Sequence, residues 1–206
     1  MKTMLSRAAL LTMLTSVVAI AGCKGKEKAA SDTTATASMS KPDTAMSSGA
    51  MSAPAALTDA NIAGLVDEVN VADSTLASAA LPKLSNGDAR SFAKMMMGEH
   101  HGLHVKGLQV EKAQNLTPQL PATDPFKAAV EAEQSALSAM TKGKAYDSTY
   151  IAHEVGIHQA VLEWAGKNTP QNPALQGYLK DAGPVIQRHL DKGLAIQTKL
   201  GGGPMS

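Results

Sequence analysis

Apolar residues recur at helical spacing along most of the chain. From 58 to 80 the inward positions are Ile62, Leu65, Val66, Val69, Ala72, Leu76 and Ala80, with Thr58-Asp59 as a capping start and Leu81-Pro82 as a stop. A second run begins near Asn86-Gly87-Asp88 and reaches about Asn115, with Ala89, Phe92, Ala93, Met96, Leu103, Gly107 and Val110 on one face. Pro118, Pro121 and Pro125 then interrupt the pattern. A shorter amphipathic helix is expected over about 124–140, with Gly143 near its end. A third long helix is expected over about 146–166, with Ile151, Val155, Val161, Leu162 and Ala165 inward. The run Thr169-Pro170-Gln171-Asn172-Pro173 ends it and starts a fourth, with Pro173 in the first turn. That helix reaches about Leu200 over Leu175, Tyr178, Ala182, Val185, Ile186 and Ile196. Pro184 in its interior predicts a kink or a local adjustment.

Four long helices form two hairpins joined by roughly 30 residues that carry a helix of their own. The pattern predicts an all-α fold over 57–200, a four-helix bundle with a long helical crossover, which is ferritin-like wiring. A plain up-down-up-down bundle is the alternative. Aromatic residues make up only 3% of the chain, so Ala, Leu, Val and Met must supply the core, which suits close-packed helices better than a sheet.

The flanks are different material. Residues 1–22 join a basic start (Lys2, Arg7) to an apolar run from Ala8 to Ala21, the layout of a secretory signal peptide. Cys23, the only cysteine, follows Ala21-Gly22, and its surroundings resemble the lipobox of bacterial lipoproteins. The resemblance implies that Cys23 becomes the lipidated first residue of the mature chain, held in a membrane by acyl chains worth about 0.8 kcal/mol per buried CH₂. With no second cysteine, no intramolecular disulfide is available. Lys24 follows, where an aspartate often retains lipoproteins in the inner membrane, so the expected address is the outer membrane with the domain facing the periplasm.

Residues 23–56 are rich in Ser, Thr, Ala and Met and lack an apolar period; they read as a lipidated, disordered linker. At about 5–6 Å × √n such a tether would float the domain some 30 Å from its anchor. Residues 201–206 read as a flexible tail. Losing Lys2 and Arg7 takes the formal charge from +1 to about −1, so there is no electrostatic footprint for nucleic acid.

Candidate chemistry lies in polar residues that fall inside apolar stripes. At 100° per residue His189 is central to the fourth stripe, His158 and Glu154 fall within the third, His100 within the second with His104 on its margin, and Asp73 within the first. By the same wheel His153 faces away from His158 and is expected to be exposed. Helical rise places Asp73, His100, Glu154, His158 and His189 in one slab about 10 Å thick. Two readings fit. One is a core site for a transition metal (Fe, Zn or Cu) with ligands among Asp73, His100, His104, Glu154, His158 and His189. The other is a hydrogen-bonded polar layer that fixes helix register. The di-iron signature, Glu-x-x-His on two helices plus two more glutamates, is not met, since Glu154 and His158 are four apart and Glu99 adjoins His100. The order Glu99-His100-His101 is not that of a His-Glu-x-x-His zinc protease. Phosphate-binding loops and serine-nucleophile elbows are missing too.

Three motifs carry a broader resemblance: Phe92-Ala-Lys-Met-Met-Met-Gly-Glu-His100, Asp147-Ser-Thr-Tyr150-Ile151 through His158, and Pro184-Val-Ile-Gln-Arg-His189-Leu190. With Asn70 and Asp73 they resemble a family of bacterial envelope proteins with a domain of unknown function, often called predicted outer-membrane proteins. The likeness covers about 58–198. It implies a ferritin-like bundle and points to the same histidines, while His101 and His104 depart from the usual pattern. It supplies no activity. The leading expectation is a membrane-anchored, non-enzymatic envelope lipoprotein concerned with metal handling or stress. A metal-dependent redox enzyme and an envelope adaptor are the alternatives.

Overall fold

A computed structural model describes residues 56–201. The signal peptide, Cys23 and nearly all of the expected linker and tail lie outside the described residues. Five helices follow one another: α1 (Asp59–Ala80), α2 (Gly87–Gln114), α3 (Lys127–Ala139), α4 (Lys144–Lys167) and α5 (Pro173–Leu200). Among the described residues there is no strand, and no helix is long and apolar enough to cross a membrane.

The starts of α1, α2 and α5 are set by short polar side chains, as their sequences predict. Thr58 accepts from the Asn61 amide while Asn61 Oδ1 accepts from the Thr58 amide, a reciprocal cap on α1. Asn86 Oδ1 takes the amides of Asp88 and Ala89. Asn172 Oδ1 takes those of Ala174 and Leu175, with Pro173 already placed where no amide is needed. The α2 helix stops at Asn115, whose φ of 52° is the left-handed conformation that asparagine tolerates. Pro184 does not end α5. It is exposed, as is Lys180 one turn earlier, so the carbonyl it leaves without a donor meets water.

Cross-links show the wiring. At one end Asp59 accepts from the amides of Gln171 and Asn172, and Asn172 bonds Gln114, so the start of α1, the end of α2 and the turn into α5 meet. At the other end Asp147, in the first turn of α4, accepts from the amides of Ser85 and Asn86 in the α1–α2 turn. The α2 and α4 helices therefore run the same way, and residues 115–143 travel the length of the bundle to allow it. The chain is an all-α helical bundle of two hairpins, α1–α2 and α4–α5, with a helical crossover.

The crossover is fastened at both ends. The Gln119 amide donates to the Ala60 carbonyl, and its backbone lies so close to Gly64 that a Cβ there would stand 2.7 Å from it. Phe126 packs edge-on against Trp164, with ring centroids 5.5 Å apart. At the far end Lys83 Nζ donates to the carbonyls of Leu137, Ser138 and Met140, closing the C-terminus of α3. Only Glu133 and Leu137 of α3 are buried.

The core is divided. One apolar cluster gathers Ala77, Phe92, Met96, Tyr150, Ile151 and Leu190 with their neighbours. At the opposite end Ile62, Leu103, Leu175, Tyr178 and Ile186 form another, and Leu65, Val69, Phe126 and Ile157 a third. Between them lies a polar layer at mid-height.

Candidate metal centre

The layer is built from all four long helices. Asn70, Asp73, His100, Glu154, His158 and His189 are each 4% exposed or less. Each sits on its helix where the apolar spacing would otherwise call for a hydrophobe, so folding carries all six inside. Among the described residues, one group of three or more potential ligands has donor atoms within 4.8 Å of one another: His100, His158 and His189.

The nitrogens that meet are His100 Nε2, His158 Nε2 and His189 Nδ1. They are separated by 3.3 Å (His100 to His158), 3.1 Å (His100 to His189) and 3.3 Å (His158 to His189). What these atoms carry is decided by the opposite nitrogen of each ring. His158 Nδ1 lies 2.8 Å from the Glu154 carbonyl, which can only accept, so Nδ1 bears the proton. His189 Nε2 lies 2.7 Å from Glu99 Oε2. Burial pushes Glu99 up, but the bonds from His189 and Arg188 outweigh it and hold its carboxyl below the ordinary value. His189 Nε2 is thus the donor to a carboxylate.

His100 Nδ1 lies 3.0 Å from Asn70 Oδ1. The Asn70 amide is oriented by its own donors: Nδ2 gives to the Val66 carbonyl at 2.8 Å and to the Tyr178 hydroxyl at 3.3 Å. That hydroxyl in turn donates to the Leu103 carbonyl at 2.9 Å. So Asn70 presents its oxygen to His100, and His100 Nδ1 is the donor.

A neutral imidazole has one N–H, and all three are directed outward. Three lone pairs therefore converge at mid-bundle. Protonating a ring would relieve this, but the site resists it. Burial, with the two other rings beside it, pushes His100 down to about 2. Burial and then His189 push His158 down to about 4. Burial also lowers His189, against the opposing pull of Glu99. Metal-binding histidines commonly have their non-ligating N–H held in the same way, by a carbonyl, amide or carboxylate. The spacing also fits: metal–nitrogen bonds of about 2.0–2.1 Å in a tetrahedral shell put the nitrogens roughly 3.3–3.4 Å apart.

The other predicted residues divide. Asp73 Oδ2 is 3.4 Å from His100 Nε2, at one corner of the nitrogen triangle. Glu154 is not part of that cluster: its Oε2 lies 3.7 Å from the outward Nδ1 of His158, behind the ring. His104 is elsewhere, with Nδ1 3.3 Å from Asp67 Oδ1 on the half-exposed α1–α2 surface. His153 is half-buried rather than exposed.

Sequence reasoning passed over the ring-holding role of Glu99, although it adjoins His100. Arg188 bonds the same Glu99 oxygen as His189. Glu133 and Tyr150 were not singled out as site residues either. Tyr146, Tyr150, Glu154 and His158 are spaced four apart, a single face of α4, and that spacing was a legible signal.

The structure defines a class: an all-helical bundle whose core is interrupted by a polar layer with three facing imidazoles. More particularly, the chain belongs to the family described as Domain of unknown function (DUF4142), whose model matches residues 43–196. Comparison with curated proteins and with solved structures gave no match.

Proposed function

We propose that this is a bacterial envelope lipoprotein whose ferritin-like bundle holds one transition-metal ion through His100 Nε2, His158 Nε2 and His189 Nδ1. The observation that carries the reading is the outward commitment of all three N–H groups, which leaves three lone pairs 3.1–3.3 Å apart. Imidazole donors suit Zn, Cu, Fe and Ni. Asp73 is the nearest carboxylate to the nitrogen triangle and the natural fourth ligand. The rings are 0–2% exposed, which supports holding a metal over turning over a substrate. The crossover connection between two hairpins supports the ferritin-like assignment, and the N-terminal motif ending at Cys23 supports lipidation and an outer-membrane address.

The test is elemental analysis of the Cys23→Ser chain purified without chelators, beside a His100→Ala/His158→Ala/His189→Ala variant of unchanged helicity. One equivalent of metal in the first and none in the second is expected. No uptake by the first after incubation with Zn, Cu or Fe overturns the reading in favour of a structural polar layer. The anchor has its own test. Cys23→Ser is expected to move the protein from the membrane to the soluble fraction, and unchanged membrane association contradicts lipidation.

A further inference from the structure

Beside the imidazole layer the packing leaves a gap. A cavity of about 50 Å³ lies among α1, α2, α4, α5 and Phe126 of the crossover. Its inner wall includes Leu65, Val69, Leu103 and Ile186, each 7% exposed or less. On the α4–α5 side the wall is Leu162, Ala165, Leu179 and Gly183, which are half-buried and give the cavity its entrance. Two of those four are small, and a Cβ at Gly183 would meet nothing within 4 Å.

The cavity adjoins the layer. Leu103 follows His100 by three residues, Val161 follows His158 by three, and Ile186 precedes His189 by three. Because α5 runs against α2 and α4, these offsets point the same way along the bundle, by just under one helical turn of about 5.4 Å. Asn70 stands between the two: it lines the cavity, and its Oδ1 accepts from His100 Nδ1 at 3.0 Å.

The lining decides what fits. Besides the Trp164 indole, its polar side chains are Asn70 and Tyr178. The Asn70 amide is committed to His100, the Val66 carbonyl and Tyr178, and the Tyr178 hydroxyl to the Leu103 carbonyl. A buried water needs about two to four polar partners, and this wall offers it only the indole N–H. A charged or hydrogen-bonding ligand would leave its own polar groups unpaired. Size excludes large apolar molecules as well, since a dry cavity that holds benzene has about 150 Å³, roughly three times this space.

We infer that the cavity is a binding site for one small uncharged gas molecule of the dioxygen class, admitted at the α4–α5 seam and held against the side of the imidazole layer. The attraction is dispersion: atoms that line a void lack partners on one side, and an apolar molecule supplies them. The site is complete without a metal and so is independent of the metal reading. With the triad loaded, it places such a molecule one turn from the ion.

The experiment uses the metal-free Cys23→Ser chain with its Ile, Leu and Val methyl groups assigned by NMR. Xenon pressure probes the cavity, and dissolved dioxygen probes the ligand class. Methyl resonances of Leu65, Val69, Leu103, Val161 and Ile186 are expected to shift with xenon and to level off as the site fills. Under dioxygen the same methyls should show stronger paramagnetic relaxation than those of Ile151 and Leu190 in the other apolar cluster. Gly183→Leu and Ala165→Leu each put a side chain into the entrance and should abolish both effects at unchanged helicity. Xenon shifts that are absent or never level off, relaxation no stronger than at Ile151 and Leu190, or effects that survive in both variants would each overturn the site. Should a variant unfold, the comparison of the two clusters in the wild type decides alone. A chain that takes up zinc but not xenon keeps the triad and loses the cavity; the reverse result keeps the cavity and loses the triad.

Discussion

At the scale of single residues, the imidazoles depend on what holds their far side. Glu99 bonds His189 from the half-exposed surface, so it can be changed without opening the core. Glu99→Ala is expected to weaken metal binding by about 10–100-fold while the stoichiometry stays at one, measured by competition with a chromogenic chelator. An unchanged affinity would mean that His189 does not need this partner.

Three other acids set a pH dependence for the metal-free protein. Burial, helped by Asp124, raises Glu68 to about 7; burial, helped by Asp67, raises Glu111 to about 7; burial alone does so for Glu133. Unfolded, these groups ionise near 4.5. The fold therefore holds the extra protons, and this stabilisation is complete below about 4.5 and lost as pH rises through about 7. The depressed histidines act in the opposite sense, with stability present above about 6.5 and lost as pH falls. Thermal melts should thus peak at mildly acidic pH and decline toward about pH 8. Glu68→Gln and Glu111→Gln should each flatten the alkaline side. A melting temperature that rises steadily to pH 8 would contradict those raised values.

At the scale of elements, helical spacing predicts α1, α2, α4 and α5 closely, and Thr58, Asn86, Asn172 and Pro173 fix the starts of α1, α2 and α5 because caps act locally. They also place His100, His158 and His189 inward, since a polar residue inside an apolar stripe has nowhere else to go. The burial of Glu133 was not legible. Only an amphipathic helix was expected there, and Glu133 is buried because the crossover lays α3 against α4 and α1. Glu154 was placed on the correct face, but the wheel does not show that its carboxylate lies behind His158 while its carbonyl orients the ring. His104 was placed on the margin of the second stripe, and it turns away from the layer toward Asp67. Which side of a ring a neighbour occupies is a tertiary fact.

Two fastenings test the element account. Gly64 lies under the Gln119 backbone, so Gly64→Ala must push the crossover away and is expected to cost about 1–3 kcal/mol in denaturant unfolding. Asp147, 1% exposed, bonds the amides of Ser85 and Asn86. Asp147→Ala is expected to cost about 1–3 kcal/mol, with Asp147→Asn recovering part of it. A neutral outcome for both would mean that these contacts do not tie the hairpins together.

At the scale of the whole molecule, the polar layer separates apolar clusters that would otherwise join. A layer kept for register and a layer kept for a metal predict different responses to apolar replacement. The combined change His100→Leu/His158→Leu/His189→Leu should leave the metal-free bundle folded and no less stable, because it removes three buried polar groups together with their mutual repulsion. It should also abolish stabilisation by metal, which for the wild type is about 2.7 kcal/mol at a ligand concentration 100 times Kd. Loss of the fold in that variant would assign the layer a structural role.

The most direct test of the central claim is the metal's own coordination. Zinc K-edge absorption fine structure of the Cys23→Ser chain, loaded with one equivalent of Zn²⁺, should show three imidazole nitrogens at about 2.0–2.1 Å, with their outer-ring scattering. The same sample of the triple alanine variant should show only solvent-like oxygen. A wild-type spectrum with fewer than three imidazoles, or one identical to that of the variant, would contradict the assignment of His100, His158 and His189 as a metal site.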